Sequence, residues 1–208
     1  VEHPVTEMVT GVDLVHWQIR LAQGERLGVD PQQALTPQGH AIESRVYAED
    51  PDAGFLPAPG RITSLRSPSG PGVRDDSGVE AGFTVPVFYD SMISKVVAWA
   101  PDRAGAISRM RRALLEYEIG GITTAIPALL WVLGQKRFVS GEFDTGFLDR
   151  VLSERHGESF STVRVDEALI AAALVTYFSG AGARPGAAGQ SGSTAWRRAA
   201  RLEGVGGA

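Results

Sequence analysis

Val1-Glu2-His3-Pro4-Val5-Thr6-Glu7-Met8-Val9-Thr10-Gly11-Val12-Asp13-Leu14-Val15 opens the chain, and its reading governs everything after it. A β-branched apolar residue precedes a carboxylate, a His and a Pro, and a capped helix is expected almost at once. Thr10-Gly11-Val12-Asp13 has the form of a capping box, with Thr10 as N-cap and an acid three residues on. Val12, Val15, Ile19 and Ala22 follow at helical spacing, and Gly24 is a natural stop. The expectation is a helix over 10–23, with Glu2 in the segment just before it. With no Met at position 1 and no entry strand, the stretch reads as a chain cut at the edge of an active site.

Outward from that stretch, 25–38 is polar, holds Pro31 and Pro37, and reads as a loop. A β-rich region follows. Ala41, Ile42, Val46 and Tyr47 favour a strand over 40–48, with Arg45 inside it. The stretch 50–60 is a turn-dense loop carrying Pro51, Pro57, Pro59, Gly54 and Gly60. A strand is expected over 61–66, short extended pieces near Val73 and Val79, and the clearest strand over 92–99. Asp102 opens a helix whose buried stripe is Ala104, Ile107, Met110 and Leu114, with Arg103, Arg109 and Arg112 on its wet face. A short strand is expected near 117–119, a helix over 124–133 with Pro127 in its first turn, and another over 147–152. The segment 166–178 reads as a helix apolar on nearly every side, 179–194 as a Gly/Ala/Ser linker, and 196–202 as a basic amphipathic piece.

Composition narrows the function classes. At 208 residues with 43% hydrophobic content, the chain can build a substantial core. Its net charge of −4 argues against nucleic acid as a partner. No Cys is present, which excludes disulfides, thiolate zinc sites and Cys nucleophiles. The longest apolar run, 168–175, falls far short of the roughly 20 residues a bilayer requires. No membrane role and a cytoplasmic location are therefore expected. His3, His16, His40 and His156 lack metal-ligand spacing, and Gly70-Pro71-Gly72 lacks the Lys and the strand–helix context of a phosphate loop.

Taken singly, the candidate residues stay ambiguous. Glu2 is either a general base or an ordinary terminal acid, and Arg45 either an anion contact or a salt-bridge partner. Asp90, in Phe88-Tyr89-Asp90-Ser91, is either a turn acceptor or an orienting group. Lys95 reads as a snorkelling or edge residue.

The order of segments goes further. Val-Glu-His-Pro-Val-Thr-Glu at 1–7, Thr-Gly-Val-Asp-Leu-Val at 10–15, Glu-Ser-Arg-Val-Tyr-Ala-Glu-Asp-Pro at 43–51, Phe-Leu-Pro-Ala-Pro-Gly at 55–60, Gly-Val-Arg at 72–74 and Tyr-Asp-Ser-Met-Ile-Ser-Lys at 89–95 occur in unbroken sequence. This set resembles the C-terminal part of the biotin carboxylase component of acyl-CoA carboxylases, over about residues 1–153. The resemblance implies an ATP- and Mg2+-dependent ligase that activates bicarbonate and carboxylates biotin held on a separate carrier domain. It implies that Glu2 is the base on bicarbonate, that the Val1 amide helps hold bicarbonate, and that Arg45 contacts bicarbonate and the biotin ureido oxygen. It further implies that Asp90 supports the biotin pocket and that Arg74 lies at a homodimer interface. The implied partners are a biotin carboxyl carrier domain and a carboxyltransferase subunit.

The expected fold is α+β. Residues 1–24 would end an ATP-grasp domain, 25–155 would form the biotin carboxylase C-terminal antiparallel sheet with helices, and 156–208 a helix and linker. The family's nucleotide and magnesium residues lie upstream of its Val-Glu-His-Pro, so the chain alone is expected to be inactive. Ala125 stands where the family usually has Asn, and no Ala-Met-Lys-Met biotinylation motif is present. The rivals are a non-catalytic dimerisation or carrier-docking module and the biotin carboxylase part of pyruvate carboxylase.

Overall fold

The computed structural model describes residues 3–155, 157–160 and 165–180. The elements run α1 (His3–Thr10), α2 (Leu14–Ala22), α3 (Pro31–Leu35), β1 (His40–Tyr47), β2 (Glu49–Asp50), a 3-10 turn (Pro51–Ala53), β3 (Leu56–Pro57), β4 (Gly60–Arg61), β5 (Ser64–Arg66) and β6 (Val73–Ser77). They continue with β7 (Thr84–Val85), β8 (Met92–Ala100), α4 (Arg103–Glu116), β9 (Glu118–Gly120), α5 (Ile126–Val132), α6 (Lys136–Ser140), α7 (Phe147–Ser153) and α8 (Val165–Gly180). Two compact units divide after residue 162.

A three-stranded antiparallel sheet in the order β1-β8-β6 organises that unit. Strand alternation sends Ile42, Ser44 and Val46 of β1 and Ser94, Val96, Ala98 and Ala100 of β8 to one side, where all are buried. Helix α4 covers this side with Ala106, Ile107, Met110, Ala113 and Leu114. Asp102 caps α4 by accepting from the Gly105 N–H at 2.7 Å. Ala104, expected in the stripe, is exposed, and Ala106 and Ala113 take its place. The arginines expected on the wet face act as staples. Arg103 donates to the Phe138 carbonyl and Arg109 to that of Trp99, and Arg112 pairs with Glu116 at 2.7 Å.

The opening stretch differs from its sequence reading. Residues 3–10 are already helical, and the helix expected over 10–23 begins only at Leu14, after a turn at Gly11 whose φ of 71° no β-branched residue would adopt. Asp13, not Thr10, is the N-cap of α2, accepting from the His16 N–H at 2.8 Å. Thr10 instead closes α1 by donating to the Thr6 carbonyl at 2.7 Å. The polar 25–38 loop contains the one-turn α3 and the 50–60 loop folds into short two-residue strand pairings, details that no periodicity announces. Helix α6 likewise has no sequence signal in advance of the structure.

The chain stays with the first unit past 155. Asp52 accepts from the Ser159 hydroxyl and the Phe160 N–H, each at 2.6 Å, and the Phe160 ring meets Trp131 edge-on. In the second unit α8 is helical over the expected stretch, with Leu169, Ile170, Leu174, Val175, Tyr177 and Phe178 exposed. The expected linker (from 181 on) and basic piece lie outside the described residues. No described helix is long and apolar enough to cross a membrane.

Candidate functional site

The other side of the sheet is charged. Antiparallel register places Arg45 opposite Lys95 and Lys95 opposite Asp76. One step along, Glu43 lies opposite Val97 and Val97 opposite Arg74. Directly opposed residues share a face, so Glu43, Arg45, Lys95, Arg74 and Asp76 form one field on the side away from α4. Helix α1 packs against this field: its Glu7 accepts from Arg74 at 2.6 Å, and His3 Nε2 lies 3.7 Å from Asp76 Oδ2.

Arg45 is half-buried, and its Nε donates to Glu43 Oε1 at 3.0 Å. The two are neighbours on one strand face because they are two residues apart. That hydrogen bond is the main reason the guanidinium titrates even higher than an ordinary Arg, so Arg45 is a fixed cation. With Nε held from one side, the planar fork is oriented within the field.

Arg74 is engaged within the chain. Its Nε and NH2 meet the two Asp76 oxygens at 2.7 and 2.8 Å, a bidentate pair, while NH1 meets Glu7. These contacts, Asp76 first, raise the Arg74 pKa further. Glu7 is nearly buried, and its second oxygen accepts from the Leu14 N–H at 2.8 Å, tying α1, the start of α2 and β6 together.

Asp90 lies in the loop leading into β8, beside the exposed Val87, Phe88 and Tyr89, and accepts from the Met92 N–H at 3.1 Å. It performs the turn role and is exposed. Val1 and Glu2 lie outside the described residues, and His3, the next residue, stands on the charged field. Lys95 is on the central strand, not at an edge. Among the described residues no group of His, Asp and Glu is arranged to hold a metal ion.

Sequence reasoning singles out Arg45 and Arg74 but misses Glu43, Glu7 and Asp76 as their partners. The i, i+2 spacing of Glu43 and Arg45, and of Arg74 and Asp76, is the available signal. Nothing local signals Glu7, which is 67 positions from Arg74.

Residues 43–150 match the family described as biotin carboxylase C-terminal domain, and residues 1–29 match that described as carbamoyl-phosphate synthase L chain, ATP binding domain. A biotin carboxylase from Nostoc sp. is 52% identical over 151 residues, covering 73% of this chain and 34% of that protein. A pyruvate carboxylase subunit from Methanothermobacter thermautotrophicus is 48% identical over 170 residues, covering 82% of this chain and 34% of that protein. Among solved structures, the biotin carboxylase domain dimer of the Hydrogenobacter thermophilus 2-oxoglutarate carboxylase, in complex with MgADP and bicarbonate, superposes with a TM-score of 0.72 at 43% identity, over 79% of this chain and 35% of that one. The chain belongs to the biotin carboxylase C-terminal domain family, and its α+β sheet-and-helix architecture is that family's. It spans about a third of the length of the curated relatives it matches.

Proposed function

We propose that this chain is the C-terminal portion of a biotin carboxylase, the ATP-dependent ligase that carboxylates carrier-bound biotin with bicarbonate. The observation that carries the reading is the charged field itself: a permanently cationic Arg45 oriented by Glu43, on the same sheet face against which α1, entered directly from Glu2, is packed.

In this reading Glu2 takes the proton from bicarbonate, which must become a stronger nucleophile before it attacks a phosphoryl group. The Val1 amide donates to the same anion. Arg45 then stabilises the negative charge that develops on the biotin ureido oxygen when its nitrogen is deprotonated, as an oxyanion-hole donor does. Arg suits the task because it stays charged and offers a planar fork. ATP and Mg2+ are held by parts of the family's fold outside this chain. Asp90, engaged with its turn, supports the loop beside the biotin pocket. Arg74 lies near a homodimer contact, to which its 34% exposed side chain is open beyond the Glu7 and Asp76 pairs. A carrier domain delivers biotin and a carboxyltransferase consumes the carboxylated product. The relatives act within carboxylases named for pyruvate and 2-oxoglutarate, so the acceptor, here proposed as an acyl-CoA, is chosen by another domain. Residues 1–24 and 25–155 serve as the end of the nucleotide domain and the C-terminal domain, and 156–208 as the exit toward the carrier region, in the cytoplasm.

The test supplies the remaining length of the family from the Nostoc relative ahead of this chain and measures bicarbonate-dependent ATP cleavage with free biotin. Biotin-stimulated turnover that falls by about a hundredfold in Arg45→Met is the expected result. A folded, nucleotide-binding protein with no biotin stimulation would sink the reading in favour of a non-catalytic docking module.

A further inference from the structure

Charge bookkeeping on the α1 side of the sheet leaves one residue over. Three cations stand there, Arg45, Lys95 and Arg74. Three carboxylates answer them, Glu43 paired with Arg45, and Asp76 and Glu7 paired with Arg74. Lys95 has no ion pair among the described residues, although it sits in the middle of the central strand and is only half exposed. Its neighbour on the β1 side is another cation, Arg45, directly opposite. On the β6 side stands Asp76, a carboxylate directly opposite that is shared with the Arg74 fork and approached by His3 Nε2 at 3.7 Å, and that makes no ion pair with Lys95.

Like charges directly opposite in an antiparallel pair destabilise a sheet. Asp76 offsets this only in part because Arg74 already engages it, and the Lys95 ammonium is a compact, rotatable donor on the residue directly opposite Arg45. Side chains at opposed positions start about 5 Å apart at their Cβ atoms, so two long cationic side chains there are able to converge on one small planar oxyanion.

We infer that Lys95 is the second cation of an anion cradle with Arg45, and that the two together hold an oxyanion of the carboxylate class, bicarbonate in the first instance. The inference rests on the proposed function and adds to it a substrate-contacting residue. Arg45 supplies orientation and Lys95 supplies charge. The repulsion between them in the empty site is relieved when the anion arrives.

Thermal denaturation of the 208-residue chain tests this, at constant pH and ionic strength, with and without sodium bicarbonate. Lys95→Met removes the repulsion, so without bicarbonate it melts above wild type by roughly 1–3 °C. Bicarbonate raises the melting temperature of wild type in a saturable way. Lys95→Met and Arg45→Met each lose most of that rise, and Lys95→Arg keeps it. A Lys95→Met variant that melts at or below wild type overturns the inference, because Lys95 is then a structural residue. If Lys95→Met responds to bicarbonate like wild type while Arg45→Met does not, the cradle fails and the proposed function stands. A response that neither variant diminishes removes the cradle, and the ATP-cleavage assay on the completed protein decides the function. A wild type that bicarbonate does not stabilise also overturns the cradle, and the ATP-cleavage assay on the completed protein then decides the function on its own.

Discussion

The two faces of one three-stranded sheet do opposite work. On the side of α4, Val46, Val96, Ala98 and Ala100 meet Ile107, Met110 and Leu114, and almost nothing is exposed. On the side of α1 the same strands present Glu43, Arg45, Lys95, Arg74 and Asp76. Adjacent residues along a strand therefore belong to different tasks. The difference teaches that the apolar face fixes strand positions tightly enough for a face that is charged, apart from the buried Val97 between Glu43 and Arg74, to hold a defined geometry.

Removing apolar volume from the α4 side should break the molecule without touching the chemistry directly. Met110 is fully buried, and Met110→Ala is expected to cost about 2–5 kcal/mol. That corresponds to a fall in melting temperature on the order of 10 °C for a chain of this size. Whatever fraction remains folded should keep the wild-type response to bicarbonate. A selective loss of that response with stability intact would contradict the division of labour.

Arg45→Met probes the opposite face. In the completed enzyme the expected loss is about a hundredfold in biotin-stimulated turnover, close to 2.7 kcal/mol of barrier. Stability should change by no more than about 0.5 kcal/mol, because the side chain is half-exposed and its one strong partner is Glu43. Circular-dichroism melts beside the kinetics read both quantities.

Glu7→Gln is intermediate. It removes charge from a nearly buried carboxylate that joins α1, α2 and β6 while leaving the shape in place. Arg74 keeps Asp76, so the cost is expected to be about 1–2 kcal/mol and not the full penalty of a stranded buried charge. A double-mutant cycle with Arg74→Met should return a coupling of the same order, and additivity of the two changes would show that the contact contributes nothing.

The two faces are not equally legible from sequence. Alternation in β1 and the apolar run of β8 announce the strands, and helical spacing with Asp102 announces α4, because these signals are local. The opening helices are misjudged since Thr10-Gly11-Val12-Asp13 imitates a capping box at what is a helix–helix joint, and the bond that settles it runs to the Asp13 carboxylate. Arg45 is found through the ordered resemblance, not through its own environment. Its orientation by Glu43, and the leftover charge on Lys95, require the register of β1 on β8, which no local pattern specifies. Glu7 acting on Arg74 joins α1 to β6 across the fold and carries no sequence signal at all.

The buried face also carries polar groups, and one contact among them sharpens the contrast. Tyr117 donates to Ser94 Oγ at 3.1 Å inside the core, with Ser44 also buried on this face. Burial is the main reason the phenol titrates above its usual value, and the nearby Asp75 charge pushes the same way. A folded-state pKa above the unfolded one means that the folded chain holds this proton more tightly. The associated stability is complete below the unfolded pKa of about 10 and is lost as pH rises through the folded value. Tyr117→Phe at neutral pH should therefore cost only about 1 kcal/mol, the worth of one hydrogen bond with Ser94 left unsatisfied. Above pH of about 10 the wild type should lose stability more steeply than the variant, so the gap between them narrows. Denaturant midpoints at neutral and alkaline pH measure it. Parallel pH dependences would mean that Tyr117 ionises as freely in the folded chain as in the unfolded one, and that the α4 side is less sealed than its burial implies.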